Sequence, residues 1–537
     1  MHRAILVSLV LLGACSKPPF SEHAASAGLD FQHVNGMAGE LYLAEIMGSG
    51  VGVFDYDNDG DLDVYLVQGG SFDAGPDRPD RLFRNDGGLR FTDVTVAAGI
   101  EAAAYGMGVT CGDVDNDGDT DLFRTSLGFN TLLRNNGDGT FTTETVAAGD
   151  EPRWSVSAAF VDYDLDGWLD LYVGNYVDFS VATNKPCRSS TSARDYCSPL
   201  VYDPQPDRLL RNDGTGRLFD ASEQSGIFRA TGSALGVSVG DFDSDGLPDI
   251  YVANDGMPNL LWRNSGNGAF RNIADIAGVA VNMDGRPEAS MGVDSGDFDG
   301  DGDEDLFMTH LNRESNTLYV NEGSGYFDDR SVSLGLAGAS LNYTGFGTAW
   351  FDYDNDGDLD LFSANGAVTK IQALIDAGDP FPLHQRNQLF ANDGTGNYLE
   401  VSAESGLQLS EVSRGAAFGD LDNDGDPDIV VANNNGPVRL LRNNTGHRSD
   451  WIGFRVLTAD GLRDALGARV RLLRDNKPLV ARIGTDGSYA SCNDARVVFG
   501  LGDETEDSFA VEVAWPGGVA HRFDNLAPNR YHELVPP

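Results

Sequence analysis

The chain has 537 residues, in which 83 Asp and Glu stand against 37 Lys and Arg for a formal charge of −46. A surface of that sign repels nucleic acid and anionic headgroups, so a basic-patch role toward either is disfavoured unless metal ions reverse the field locally. With 41% hydrophobic residues in regular short runs, the chain is not an acidic disordered polymer, and its length suits a multi-element domain with one appended domain.

Residues 1–15 read as a processing signal: Arg3, the apolar run 4–12, then Leu12-Gly13-Ala14-Cys15. Nine apolar-leaning residues are too few to span a bilayer. The quartet resembles the lipobox of bacterial lipoproteins, which implies lipidation of Cys15 and, through Ser16, outer-membrane sorting in a Gram-negative cell; a signal peptide with a chance cysteine is the other reading. No later segment has the length to cross a membrane. The expected product is secreted, either periplasmic or an outer-membrane, cell-surface lipoprotein that meets the membrane only through its front end.

Past this signal one pattern, Asp-x-Asp-x-Asp-Gly-x-x-Asp, occurs seven times. The candidate ligands at positions one, three, five, seven and nine are Asp55, Asp57, Asp59, Asp61 and Asp63 in the first copy and Asp113, Asp115, Asp117, Asp119 and Asp121 in the second. The third and fourth copies carry Asp162, Asp164, Asp166, Trp168 and Asp170, then Asp241, Asp243, Asp245, Leu247 and Asp249. Asp297, Asp299, Asp301, Asp303 and Asp305 make the fifth, Asp352, Asp354, Asp356, Asp358 and Asp360 the sixth, and Asp420, Asp422, Asp424, Asp426 and Asp428 the seventh. Calcium takes six to eight hard oxygen ligands at flexible geometry, so alternating carboxylates on a tightly curved loop suit it, and up to seven Ca²⁺ are expected. Trp168 and Leu247 fit a seventh position that offers only its backbone carbonyl. Magnesium demands strict octahedral geometry, and zinc finds none of its usual His and Cys ligands within the pattern. An EF-hand requires Glu at position twelve, where Leu66, Arg124, Val173, Val252, Met308, Ser363 and Val431 stand instead.

A second repeated element follows each loop, as in Leu82-Phe83-Arg84-Asn85-Asp86-Gly87 and Leu210-Arg211-Asn212-Asp213-Gly214. Its Asn and Gly suit the positive-φ positions of tight hairpin turns. Each repeat then reads as four strands, and the fold class is all-β: a seven-bladed β-propeller over 29–446 with calcium-loop hairpins. The last repeat lacks an outer strand, for which Leu29-Asp30-Phe31-Gln32-His33-Val34 is the candidate, closing the ring without exposed edges.

Loops and Asn-Gly turns lie at one end of each blade, so the connections between second and third strands lie at the other. Insertions concentrate there, at 178–206 and 366–386, the latter with a helical run over 369–376. Cys187 and Cys197 lie ten positions apart in the first insertion and predict a local disulfide. Gln68, Ser126, Asn175, Asn254, His310, Asn365 and Asn433 all fall five residues beyond a closing Asp. They read either as strand-end groups bonding the next loop or as a polar ring around the mouth, suited to a glycan or peptide. Long loops on one face are frequent binding loops, so a protein or glycan partner is expected there. Cys111 and Cys492 read as buried small hydrophobes, with pairing across domains left open.

Residues 448–537 read as a small β-sandwich-like domain, with strands at 451–457, 468–473, 479–483, 496–499, 509–515 and 531–535. The loop repeats resemble the FG-GAP or VCBS repeats of integrin α-subunit propellers. Arg463-Asp464-Ala465-Leu466-Gly467-Ala468-Arg469-Val470, Phe499-Gly500-Leu501-Gly502 and Trp515-Pro516-Gly517-Gly518 resemble the ASPIC/UnbV domain. Together they are similar to bacterial members of the cartilage acidic protein family, which implies an extracytoplasmic, calcium-dependent interaction protein.

One catalytic motif matches literally, Gly236-Val237-Ser238-Val239-Gly240, but a nucleophile elbow needs strand, sharp turn and helix, and this segment runs straight into the loop at Asp241. The eight histidines show no triad or metal-ligand spacing. A non-catalytic adhesion or interaction scaffold is the expectation; a calcium-dependent polysaccharide lyase or hydrolase is the alternative.

Overall fold

The computed structural model describes residues 17–72, 78–101, 104–146, 152–189, 192–474, 477–502, 504, 506–518 and 520–537. Cys15 and the rest of the expected signal lie outside them. Seven antiparallel four-strand units are present among the described residues, the first built from Val51–Phe54, Asp63–Leu66, Arg81–Asn85 and Phe91–Asp93. The innermost strands Val51–Phe54, Tyr105–Gly112, Arg153–Val161, Ala234–Gly240, Val293–Gly296, Gly345–Phe351 and Ser413–Gly419 pack each against the next, and the last packs against the first. That cycle is a β-propeller of seven blades.

Sequence explains the gradient from axis to rim. Second strands such as Asp249–Asn254 and Asp428–Asn433 are buried along their whole length, as a strand covered on both faces must be, and they read as continuous apolar runs. Outer strands such as Phe270–Asn272 bury one aromatic and expose the next two residues. Apolar side chains from adjacent blades fill the wedges between them, for instance Val161, Tyr172 and Leu209 with Val239, Ile250 and Trp262.

The ring closes differently from the sequence expectation. The outer strand of blade seven is Phe20–Glu22, paired antiparallel with Arg439–Asn443 in the register Phe20 to Asn443 and Glu22 to Leu441. Phe20-Ser21-Glu22 carries the outer-strand signature of one buried aromatic and two polar residues. Like Phe270–Asn272, it leads into a four-residue helix closed by a left-handed glycine, Gly28 at φ 94° matching Gly278 at φ 87°. Leu29 and Phe31 come one turn too late for that strand; they are buried between the seventh and first blades, and the propeller begins near residue 20, not 29.

The C-terminal domain has two sheets over one core. Asp450–Val456 lies between Val497–Gly502, antiparallel, and Tyr531–Leu534, parallel. Arg469–Leu473 lies between Leu479–Arg482 and Phe509–Ala514, with Ala520–Leu526 beyond. Ile452, Phe454 and Leu501 face Val470, Leu472 and Val511 across the core. The strand Ala520–Leu526 was not expected, because it is polar and largely exposed at a sheet edge and carries no apolar alternation.

This domain is not merely appended. Its segment 484–494 enters the axis of the ring and bonds to every innermost strand. Val53 N–H donates to Cys492 O (3.0 Å), Val109 N–H to Ala490 O (3.2 Å) and Val293 N–H to Ser488 O (3.1 Å). Ala490 N–H donates to Ser157 Oγ (3.0 Å), Val239 N–H to Asp486 Oδ2 (2.7 Å), Thr348 N–H to Ser488 Oγ (3.2 Å), and Ser488 Oγ–H to Ala416 O (2.7 Å). Inner strands of a propeller have an unpaired edge toward the axis, and the inserted main chain satisfies those groups. Gly108 permits the approach, since a Cβ there would meet Ala490 Cα at 2.9 Å. Cys492 is disulfide-bonded to Cys111 on the second blade, 381 residues away in sequence, so both cysteines are paired rather than free. Tyr489, fully buried, packs edge-on against Phe346 and donates its hydroxyl to Met47 O at 2.9 Å. Met47 follows the short turn Leu43–Ile46, whose apolar residues share a core with Tyr489 and with Phe179, Tyr196, Tyr202, Phe381 and Leu383 of the two insertions.

Candidate metal centres on the blade loops

Each Asp-rich loop is a hairpin connection whose curvature comes from two left-handed residues. The fourth position is Asn58, Asn116, Leu165, Ser244, Gly300, Asn355 or Asn423 at φ 55–64°, and the sixth is always glycine. Four of the seven fourth positions are Asn, the non-glycine residue that tolerates this region best.

The carboxylates converge. Asp55, Asp57 and Asp63 offer oxygens within 4.8 Å of one another, as do Asp113, Asp115 and Asp121, Asp162, Asp164 and Asp170, and Asp241, Asp243 and Asp245. Local amides organise them: Asp59 N–H and Gly60 N–H donate to the two oxygens of Asp55 (3.1 and 3.0 Å), and Asp61 N–H donates to Asp59 Oδ1 (2.9 Å). The ninth-position carboxylate is the deepest. Asp63 accepts from Tyr56 N–H and Asn85 N–H, which ties loop to third strand, and Asp121 does the same with Val114 and Asn135. Burial pushes the carboxyls of Asp63 and Asp305 up to about 9 and those of Asp121, Asp170 and Asp249 up to about 8, against hydrogen bonds that lower them. Desolvation likewise raises Asp113, Asp162, Asp241 and Asp297 to about 6. Without a cation, clustering these charges is costly.

The donor set fits a hard divalent cation. Asp115 Oδ1, Asp164 Oδ1, Asp243 Oδ1, Asp422 Oδ1 and Asp297 Oδ1 are buried with no hydrogen-bond donor. An ionised carboxylate oxygen only accepts, so a cation is the partner that would satisfy it. The seventh position does a different task in several blades: Asp61 accepts from Asn423 Nδ2 (2.8 Å), Asp119 from Asn58 Nδ2 (2.8 Å) and Asp303 from Ser244 Oγ (3.0 Å), each donor belonging to the preceding blade. Trp168 and Leu247, which hold that position in blades three and four, donate N–H to Asp166 and Asp245.

Two sets of residues escaped the sequence reading. The Asn ending the third strand shapes the turn, as Asn264 Oδ1 accepts Gly266 N–H (3.0 Å). In six blades its amide is also an inter-blade clamp, whereas Asn392 Nδ2 reaches only Leu359 O of its own loop (3.3 Å). Asn264 Nδ2 donates to Pro248 O of its own loop (3.2 Å) and to Tyr163 O of the preceding one (2.8 Å). Asn85, Asn135, Asn212, Asn321 and Asn443 bridge in the same way, while the following glycines take the positive φ. In blades two, three, four and seven the arginine before it reaches back to the loop, while Arg84 of blade one pairs with Asp86 of the turn. Arg211 meets Asp164 and Asp166 (2.7 and 3.3 Å), Arg442 meets Asp422 and Asp424 (2.7 and 3.1 Å), and Arg263 meets Asp243 and Asp245. Blades five and six carry Val320 and Ala391 there. The recurrence of Arg-Asn was the available signal; the cross-blade distance was not.

At the opposite end the seven polar strand-end residues are buried, and most of their polar atoms are bonded internally, with His310 Nδ1 and Asn254 Oδ1 left without a partner. Asn175 Nδ2 donates to Pro206 O, Asn254 Nδ2 to Pro258 O, Asn365 Nδ2 to Arg386 O and Asn433 Nδ2 to Pro437 O, so they hold the loops and do not line an open mouth. Cys187 and Cys197 are bonded, and Lys370 Nζ donates to Arg194 O (3.3 Å), joining the two insertions. The helix Gln372–Asp376 falls within the expected run. Ser238 is buried mid-strand with its Oγ on Ser295, without the exposure a nucleophile needs. Trp515 closes a turn and donates Nε1–H to Leu457 O (2.8 Å).

The family description "FG-GAP-like repeat" matches residues 55–124, 113–173, 199–252, 241–308, 297–363 and 378–431, and "ASPIC and UnbV" matches 459–537. The chain is similar to cartilage acidic protein 1 of Homo sapiens, 26% identical over 500 residues that cover 87% of this chain and 69% of that protein. The Mus musculus protein is 26% identical with 87% and 70% covered. Among solved structures, YCF48 bound to D1 peptide is similar with a TM-score of 0.42, 10% identity and coverage of 80% and 97%.

Proposed function

The chain belongs to the FG-GAP-like repeat proteins and carries an ASPIC and UnbV domain, and from that premise we propose that it is a calcium-stabilised, extracytoplasmic interaction scaffold with no catalytic role. The observation that carries this reading is the division of the ring's two ends. The C-terminal domain takes the axis and reaches the loop end, where Arg463 Nη2 donates to Gly167 O (2.9 Å) and Arg496 Nη2 to Asp420 O (3.0 Å). At the other end two long insertions, one stapled by Cys187–Cys197 and the two tied to each other, present Leu200, Val201 and Ile375 to solvent. A stiff platform bearing ordered loops suits recognition of a protein or glycan. In each loop the first-, third-, fifth- and ninth-position aspartates, with the seventh-position carbonyl, would hold Ca²⁺, which supplies the positive charge that the buried carboxylates lack. Seven such ions would bring the formal charge from −46 to −32. Lipidation at Cys15 would place this platform at a membrane surface, and no helix among the described residues is long and apolar enough to cross one.

The test uses the full chain immobilised over a glycan panel and envelope extracts, with calcium and then with EGTA, alongside a Leu200→Asp/Val201→Asp variant. Calcium-dependent capture that the variant loses is the expected result. Capture unchanged by both perturbations rejects the assignment of this face.

A further inference from the structure

The seventh loop departs from the other six. In blades one, two and five the seventh-position aspartate turns outward to a fourth-position side chain of the preceding blade. Asp426 does not: Asn355, the fourth-position residue of the preceding blade, donates Nδ2 to Gly425 O (2.9 Å) and not to Asp426, whose side chain folds inward to zero exposure. There its Oδ2 receives His447 N–H at 2.8 Å and lies 3.1 Å from His447 Nδ1, while its Oδ1 is buried with no donor. Asp424, Asp426 and His447 each bring a ligand atom within 4.8 Å of the other two. Arg442 takes Asp424 Oδ2 (3.1 Å), and Asp424 Oδ1 receives only a long 3.4 Å contact from Asp426 N–H. The linker into the C-terminal domain packs closely on this loop. A Cβ on Gly446 would meet Asp426 Cβ at 2.4 Å, and one on Gly425 would overlap Trp451.

We propose that Asp424, Asp426 and His447 form a site for an imidazole-ligated first-row divalent metal, with Zn²⁺ as the ion to test. Asp426 Oδ1, buried and without a donor, lies beside the partly exposed Asp424 carboxylate, and a cation would fill the acceptor capacity the two leave open. An imidazole shifts preference from calcium, which takes oxygen, to zinc and its neighbours, which take nitrogen and carboxylate together. The site goes beyond the calcium reading: it draws on Asp424 and Asp426 of the seventh loop's candidate calcium ligands and does not depend on how the other six loops are filled.

The experiment strips the full chain of metal, saturates it with Ca²⁺ and titrates Zn²⁺ by calorimetry, with Co²⁺ as a spectroscopic stand-in. The expected result is one equivalent of Zn²⁺ that excess calcium does not displace, with a visible Co²⁺ d–d band. His447→Ala and Asp426→Asn should each weaken that equivalent by at least about tenfold, since even outer-shell partners are worth that much. His447 is 41% exposed, so its variant keeps the fold, which an unchanged melting temperature in chelator verifies. Zinc that calcium displaces, or zinc uptake insensitive to both substitutions (an adventitious ion only), overturns the proposal. If the calcium saturation step gives no heat and no thermal shift while the zinc equivalent persists, the calcium reading fails and this one stands.

Discussion

Replacing Tyr489 probes whether the axial segment holds the molecule together. Its ring is fully buried among Met47, Phe346 and the inner strands, and its hydroxyl satisfies Met47 O. Tyr489→Ala removes a complete aromatic side chain from a packed interior, which costs about 3–5 kcal/mol, and strands a buried carbonyl for roughly 1 kcal/mol more. Tyr489→Phe keeps the volume and loses only the hydrogen bond, for about 1–2 kcal/mol. Equilibrium unfolding in guanidinium chloride, with calcium present and the disulfides intact, gives the differences from the shift in midpoint at constant slope. Because the segment touches all seven blades, the loss should lower unfolding of ring and C-terminal domain together. An alanine variant within about 0.5 kcal/mol of the parent, the range of an ordinary surface substitution, refutes the axial packing.

Chelation should act as strongly. At free calcium tenfold above the dissociation constant each independent loop adds ~1.4 kcal/mol, about 10 kcal/mol over seven, so EGTA should sharply lower the melting temperature seen by calorimetry; an unshifted transition means that the loops are not structural calcium sites. Acid should also destabilise the protein through His33. Burial, and then the neighbouring Arg414, lowers its pKa to about 3, and its Nδ1 accepts Asn435 N–H (3.0 Å) in the neutral form. Between pH ~6.5 and that value the unfolded chain binds a proton that the folded chain refuses, so stability falls as pH falls through that window, by roughly 3–5 kcal/mol. At saturating calcium, the stability of His33→Gln should decline less steeply over the same range; parallel curves would show that the ring is not held neutral.

The parts of the fold written in local patterns were readable from the sequence. The Asp-x-Asp-x-Asp-Gly spacing located every loop, because two left-handed turns and converging carboxylates are properties of nine consecutive residues. Strand order within a blade followed from the turn residues. What stayed hidden depends on distance between residues far apart in the chain. Phe20-Ser21-Glu22 is too short and polar to announce itself as a strand, and only its helix and left-handed Gly28 link it to the repeats. The turn role of Asn264, whose Oδ1 accepts Gly266 N–H, was legible; its clamp was not, because Tyr163 O, one of the two carbonyls its amide meets, sits on another blade. Likewise Gly484-Thr485-Asp486-Gly487-Ser488-Tyr489 reads as a surface turn; nothing within it declares that seven strand edges await it.

Ring closure by Phe20–Glu22 constrains the order of events during synthesis. The strand leaves the ribosome before every other strand of the ring, yet its partner Arg439–Asn443 follows more than 400 positions later. At about 5–20 residues per second the nascent chain spends tens of seconds as an open arc with a bare leading edge. The axial segment emerges later still, so six blades can stack while the bore remains hollow. Such an arc is a substrate for holdases and for strand exchange with a neighbouring nascent chain until both latches engage.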